Sequence, residues 1–118
     1  MKLNAILFDL DGTLANTDPI HFQVWQDILA EFQMSLDRDF YDAHISGRLN
    51  GDILRDILPQ LSPEEGKALS DRKEAAFRDL AASQLKPLPG LLDLLDWTDT
   101  HRIKRAVVTN APPANAYF

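Results

Sequence analysis

The sequence predicts an α/β fold in which a parallel sheet is interrupted, in its first crossover, by an all-helical insert. Two short, unbroken apolar segments near opposite ends of the 118-residue chain, residues 4–9 (NAILFD) and 105–109 (RAVVT), suit strands buried on both faces rather than alternating ones. The periodic segments between them repeat at helical spacing. Strand, helices and strand make a βαβ unit with about 70 residues of helix placed in its connection.

Taken in order, the first strand covers residues 3–9. Asp18-Pro19 then supplies an N-cap and a first-turn proline for a helix over 19–33, where Ile20, Val24, Ile28 and Phe32 recur at steps of four and Trp25 and Leu29 widen the stripe. A weaker helix over 37–45 stops at Gly47, and another runs from Asn50 with Ile53, Leu54, Ile57 and Leu58 on one face until Pro59 breaks it. Ser62-Pro63-Glu64-Glu65 is a capping box with proline at the first helical position, opening a longer helix through Leu69, Ala76, Phe77 and Leu80 to about Ser83. After the punctuation of Leu88-Pro89-Gly90 come a short helix through Leu91, Leu92, Leu94, Leu95 and Trp97 and the second strand. Trp25 and Trp97 are both expected in the core. The expected domains are a core of residues 1–15 and 87–118 and a helical insert of residues 16–86.

Composition excludes several classes. With 45% hydrophobic and 25% charged residues the chain is neither disordered nor collagenous. No apolar run approaches the roughly 18 residues of a membrane span, and no signal-peptide pattern opens the chain, so a cytoplasmic location is expected. The absence of cysteine removes disulfides, thiolate zinc sites and thiol catalysis, so any metal is held by oxygen or imidazole. A net charge of −6 disfavours nucleic acid and anionic lipid as partners. Asp outnumbers Glu 14 to 4, and most of these acids are expected to be caps, turns or solvated surface.

The segment 6–14, ILFDLDGTL, departs from that background, because two acids two apart stand where a buried strand gives way to a loop. Alternation aims Asp9 and Asp11 to the same side, beyond the strand end, where backbone N–H groups of the loop opening at Leu10 converge; Leu10 is therefore assigned to phosphate binding. Such a place suits a phosphate and a hard divalent cation. Phosphoryl transfer needs an ionised oxygen nucleophile, a cation to reduce repulsion between anions, and a proton donor for the departing alkoxide. Asp9, nearest the strand, is assigned as nucleophile and metal ligand, and Asp11 as the acid and base. Magnesium is the expected cofactor, since the available ligands are carboxylate, carbonyl and water oxygens. Gly12 frees the turn, and the second strand ends in Thr109-Asn110, which offer a hydroxyl and an amide to the same phosphate. The alternative is an acidic pair that merely forms a turn or caps a helix.

With FDLDGTL as a first motif, VVTN as a second and a helical insert directly after the first, the chain resembles the haloacid dehalogenase superfamily. The segments ISGRLN, RKEAAFRDL, LKPLPGL and VVTNAP make it similar, more narrowly, to the phosphoglycolate phosphatase, β-phosphoglucomutase and small sugar-phosphate phosphatase branch. The resemblance implies a Rossmann-like core with a helical cap and a Mg²⁺-dependent phosphatase of small phosphorylated metabolites acting through an aspartyl-phosphate. It gives the nucleophile to Asp9 and the acid/base to Asp11, whose main-chain carbonyl also meets the metal. Thr109 and Asn110 go to the transferring phosphoryl group, and Thr13 to loop support.

The resemblance also implies substrate contacts at the cap residues His21, Arg48, Asn50 and Lys73. Against these stand plainer readings: His21 as a hinge or surface imidazole, Arg48 as a helix-terminal cation, and Lys73 as a solvated helix residue. The likeness reaches about half of such an enzyme and lacks the third-motif Lys or Arg and the fourth-motif acids. The sequence therefore predicts a truncated chain of impaired activity, with an incomplete sheet that self-associates through its edge. The alternatives are a phosphosugar mutase, against which Asn50 stands about where mutase relatives carry arginine, and a non-catalytic binding fragment.

Overall fold

A computed structural model describes residues 2–118; Met1, at the head of the expected core segment, lies outside the described residues. The element order is β1 (Ala5–Phe8), α1 (Asp18–Glu31), α2 (Arg38–His44), α3 (Asn50–Ile57), α4 (Pro63–Gln84), α5 (Leu91–Thr100), β2 (Lys104–Val107) and α6 (Pro113–Ala116). The chain forms an α/β structure of two compact units. One takes the chain up to Asp18 together with Ser83–Phe118, and the other Pro19–Ala82.

In the first unit β1 and β2 pair in parallel, in register from Ala5 opposite Lys104 to Phe8 opposite Val107. Lys104 N–H donates to the Asn4 carbonyl at 3.0 Å and Val108 N–H to the Phe8 carbonyl at 2.8 Å, so the ladder extends one step past each end. Arg105 ties β2 to the end of α5, donating to the Leu95 carbonyl and the Thr98 hydroxyl at 3.2 and 3.3 Å and pairing with Asp99 at 3.2 Å. Phe8, Ala15, Thr98 and Ile103 are buried.

The strands are not buried on both faces, as the apolar runs led one to expect. Leu7 is 69% exposed, Val107 53% and Val108 61%. The physical reason is the extent of the sheet: two strands and the elements beside them, among the described residues, cannot cover two faces. Trp97 corrects a second expectation, because it is 43% exposed rather than in the core and stacks on His101, one helical turn away, with ring centroids 4.4 Å apart.

The second unit is helical throughout its regular structure, and its apolar stripes are buried. Ile20, Val24, Trp25, Ile28 and Leu29 of α1 are joined inside by Leu36, Tyr41 and Ile45, by Ile53, Leu54 and Leu58, and by Leu69, Phe77 and Ala81 of α4. The Ser62–Glu65 capping box acts as its spacing predicts, whereas Asp18, expected as the N-cap of the first helix, is its first helical residue, and Asp37, expected inside the second helix, caps it from outside. Asp37 accepts from Phe40 N–H at 2.8 Å, and Ser62 and Glu65 exchange reciprocal bonds of 2.8 and 3.1 Å. Gly47, with φ near +74°, lies just past α2 where the Ser46 N–H turns back to the Tyr41 carbonyl. The helix expected over 19–33 ends at Glu31, because Gln33 takes a left-handed conformation (φ +59°) and Met34 N–H bonds the Leu29 carbonyl. Arg102 closes α5 in the same way, with Ile103 N–H on the Thr98 carbonyl. Neither site carries the glycine that would have announced it.

Candidate active site

The parallel register sets the site. Because Phe8 pairs with Val107 and the ladder closes at Val108 N–H, the residues following both strands leave the sheet at the same end: Asp9, Leu10 and Asp11 from β1, Thr109 and Asn110 from β2. This is the carboxyl end of a parallel pair, where open α/β sheets bind their ligands. All five residues assigned to the chemistry lie there, in one compact unit.

The loop after β1 is tightly knit. Gly12 N–H bonds the Ala15 carbonyl at 2.9 Å, Thr13 and Leu14 N–H both reach the Leu10 carbonyl at 3.2 and 2.9 Å, and Leu88 N–H anchors the turn on the Leu14 carbonyl at 3.0 Å. Gly12 has φ near +73°, a conformation that strains any residue with a Cβ. The loop is thus a defined turn that fixes where Asp9 and Asp11 leave the backbone. Both aspartates are exposed, and Asp9 Oδ1 accepts the Leu10 N–H at 2.8 Å. That N–H, assigned to phosphate, here holds the carboxylate of Asp9. On the other strand, half-buried Thr109 accepts the Ala111 N–H on Oγ1 at 3.0 Å. Its oxygen is thereby oriented, and a hydroxyl that accepts one bond can still donate another.

Among the described residues no three His, Cys, Asp or Glu side chains gather as a metal-holding group. Mg²⁺ does not need one: it binds through one or two carboxylates, completing its shell with water and substrate phosphate oxygens. Two exposed aspartates beyond one strand end, with main-chain carbonyls beside them and no sulfur donor, fit that chemistry.

Three of the four residues assigned to substrate from the helical insert belong to one polar cluster in the second unit. Lys73 Nζ stands 2.9 Å from His21 Nδ1 and donates to Glu74 Oε1 at 2.9 Å; Asn50 Nδ2 donates to the same oxygen at 2.5 Å. His21 stacks on Phe77 at 4.1 Å, and the Lys73 ammonium lies 5.7 and 5.8 Å from the rings of Trp25 and Phe77. Lys73 is no solvated residue, since its side chain is 4% exposed. Its place between Leu69 and Phe77 at steps of four, on the apolar stripe of α4, was the signal for this. Glu74, which joins the cluster across 24 residues from Asn50, went unremarked in the sequence, where nothing but its adjacency to Lys73 marks it. Arg48 stands apart from the cluster. It caps the carbonyl of His44 at the end of α2 at 2.9 Å and pairs with Asp56 at 2.5 Å, as a helix-terminal cation does.

The comparisons with known proteins agree with the fold and the motifs. Residues 6–117 match the family of haloacid dehalogenase-like hydrolases, and the chain belongs to it. It is 25% identical over 119 residues to a phosphorylated carbohydrates phosphatase of Thermotoga maritima, covering 97% of this chain and 53% of that protein. It is 30% identical over 122 residues to a β-phosphoglucomutase of Bacillus subtilis, covering 93% and 53%. Among solved structures, a family IA hydrolase from Entamoeba histolytica superimposes with a TM-score of 0.84 at 26% identity, over 97% of this chain and 52% of that one. The chain therefore spans about half the length of the curated relatives it matches. No helix among the described residues is long and apolar enough to cross a membrane.

Proposed function

We propose that the chain carries the nucleophile and the acid/base of a phosphatase of small phosphorylated metabolites, sugar phosphates in particular, in the cytoplasm. The observation that carries this reading is the gathering of Asp9, Asp11 and Thr109 at the carboxyl end of the β1–β2 pair. Family membership and the sugar-phosphate relatives support it.

In the proposed reaction an oxygen of Asp9 attacks phosphorus and the bond from phosphorus to the ester oxygen breaks, giving an aspartyl-phosphate. Asp11 gives its proton to the departing alkoxide. Water then attacks the same phosphorus, returning a proton to Asp11 and freeing the Asp9 carboxylate with inorganic phosphate. Thr109 donates its O–H to a phosphoryl oxygen, and the amide of Asn110 and the Leu10 N–H are further donors for the same group. Asp9, Asp11 and the Asp11 carbonyl would hold Mg²⁺, which supplies charge neutralisation between the two anions when bound. His21, Asn50 and Lys73 are assigned to the rest of the substrate.

Mg²⁺-dependent phosphate release from p-nitrophenyl phosphate tests the reading. Asp9→Asn should lower it about 10³-fold or more, as losing a nucleophile does, and EDTA should abolish it. Hydrolysis unchanged in the Asp9→Asn protein would remove the proposed nucleophile. The mutase reading is favoured by one observation, the β-phosphoglucomutase relative. It predicts conversion of a sugar 1-phosphate to its 6-phosphate without net phosphate release.

A further inference from the structure

Five asparagines stand in the chain, and the main-chain N–H that follows each of them bears on what its side chain can undergo. After Asn16 the Thr17 N–H is held by the Ala15 carbonyl at 3.1 Å, after Asn110 the Ala111 N–H by Thr109 Oγ1 at 3.0 Å, and after Asn115 the Ala116 N–H by the Pro112 carbonyl at 3.1 Å. Ala5, after Asn4, opens β1 and carries a Cβ. Asn50 is followed by Gly51, which has no side chain and whose N–H meets no acceptor among the described residues. These two residues open α3, so that N–H belongs to the first turn, which has no intrahelical carbonyl to offer it. Leu49 before them supplies no side-chain cap, and asparagine and glycine are both poor helix formers. The start of α3 is therefore a place where the backbone opens locally and often.

We propose that Asn50 is a site of spontaneous covalent modification, deamidating through a ring closed with Gly51. When the first turn of α3 opens and the Asn50 amide leaves Glu74 Oε1, to which it donates at 2.5 Å, the Gly51 nitrogen attacks Asn50 Cγ. A bond forms from that nitrogen to Cγ, the Cγ–Nδ2 bond breaks, and the proton of the Gly51 N–H departs with Nδ2 as ammonia. Water then opens the five-membered imide: attack at Cγ gives aspartate, and attack at the main-chain carbonyl gives isoaspartate, whose main chain runs through the side-chain carbons. One water is consumed and one ammonia released, and no oxidant, metal or enzyme takes part. Gly51 favours closure because it has no Cβ to obstruct the approach and its backbone turns freely. Either product ends the donation from residue 50 to Glu74 and sets two carboxylates facing each other where Glu74 is 13% exposed. A carboxylate in a first turn is favoured by the helix dipole, but that gain is smaller than the loss of a sheltered hydrogen bond to a charged group. Deamidation thus loosens the tie between α3 and α4.

The reaction is followed by mass spectrometry of the wild-type protein kept folded in mildly alkaline buffer and digested with trypsin at intervals, a sample digested at the outset correcting for change during digestion. The peptide of residues 49–55 should gain the mass of an amide exchanged for an acid about tenfold faster, or more, than the peptides carrying Asn4, Asn16, Asn110 and Asn115. Gly51→Ala, which places a Cβ in open space and strengthens the helix, should fold and slow that gain about tenfold or more. Asn50→Asp, the simpler of the two products, should unfold at a lower urea concentration than the wild type. Conversion of Asn50 no faster than that of the other asparagines, or as fast in Gly51→Ala as in the wild type, overturns the proposal. An Asn50→Asp protein as stable as the wild type overturns its consequence for α3. If Asn50→Asp does not fold, the two rates, measured on the wild type and Gly51→Ala, still decide the proposal. None of these readouts requires turnover, so loss of the proposed nucleophile at Asp9 leaves them untouched.

Discussion

The two units of this chain bury their apolar residues to very different extents. In the helical unit Trp25 is 2% exposed, and Val24, Leu29, Ile53 and Leu58 are enclosed as completely. In the unit that carries the sheet, Leu7, Val107 and Val108 lie largely in the open, together with Leu92, Trp97, Tyr117 and Phe118. The difference is one of geometry. Amphipathic helices with apolar stripes on α1, α3 and α4 bury those stripes within a small unit. Parallel strands present apolar side chains to both faces, and two strands lack the layers needed to cover them. A site at the end of such a sheet is defined locally by its turn and its register, whereas the helical unit's polar cluster is defined by packing.

The largest expected effect separates the two tryptophans. Trp25→Ala should destabilise the protein by about 3–5 kcal/mol, the cost of emptying a packed aromatic site. Trp97→Ala, with nearly half its surface already in water, should cost about 1 kcal/mol or less. Urea unfolding followed by circular dichroism measures both. Equal losses would mean that the sheet unit is packed as firmly as the helical one.

The open sheet predicts an association that the closed helical unit does not. We propose that the exposed strand face and edges bring copies of this chain together, because unpaired backbone groups and apolar side chains there are satisfied most readily by another sheet. Light scattering should show mass rising with concentration. Leu7→Thr together with Val108→Thr should shift the midpoint of that rise to higher concentration while leaving the unfolding midpoint of the monomer within about 0.5 kcal/mol of its starting value. A monomer at all concentrations would contradict the proposal. An unchanged midpoint in the double variant would place the contact elsewhere.

Much of this was legible in the sequence, for reasons that differ between elements. The apolar periodicity of α1 and the capping box of α4 are local signals, and both act in the structure as their spacing says. The ends of α1 and α5 were not legible, because Gln33 and Arg102 adopt the left-handed conformation without being glycine. The shared end of the two strands followed from the parallel crossover, so Asp9, Asp11, Thr109 and Asn110 could be grouped across 100 residues of chain. The burial of Lys73 could have been read from its place on an apolar stripe. The bond from Asn50 to Glu74, the neighbour of Lys73, could not, since it depends on how α3 meets α4. Exposure of the strands was misjudged because an apolar run reports the environment a strand is suited to, and not the number of neighbours present to provide it.

The smallest effects lie on the surface of the helical unit, where pH separates capping from packing. Glu65 is held below the ordinary glutamate range, first by the Ser62 backbone N–H and then by its hydroxyl. Hydrogen bonds from the Arg72 guanidinium, at 2.7 Å on each oxygen, do the same to Glu31 and fasten α4 to the end of α1. A carboxyl whose folded-state value lies below its unfolded one adds stability that is fully present above the unfolded value and is lost as pH falls through the folded one. The wild type should therefore be more stable than Glu31→Gln and Glu65→Gln at pH 7, with both differences closing as the pH is taken below about 4. Ser62→Ala removes an N-cap and should cost about 1 kcal/mol at pH 7, whereas the penalty of Trp25→Ala, which involves no proton, should persist unchanged in acid. Salt gives the finer separation, since the exposed Glu31–Arg72 pair weakens with ionic strength and the short-range Ser62 cap does not. A Glu31→Gln difference that persists at pH 3 and in 1 M salt would show that the Glu31–Arg72 contact acts by packing, and would extend the tightly built interior of the helical unit out to its surface.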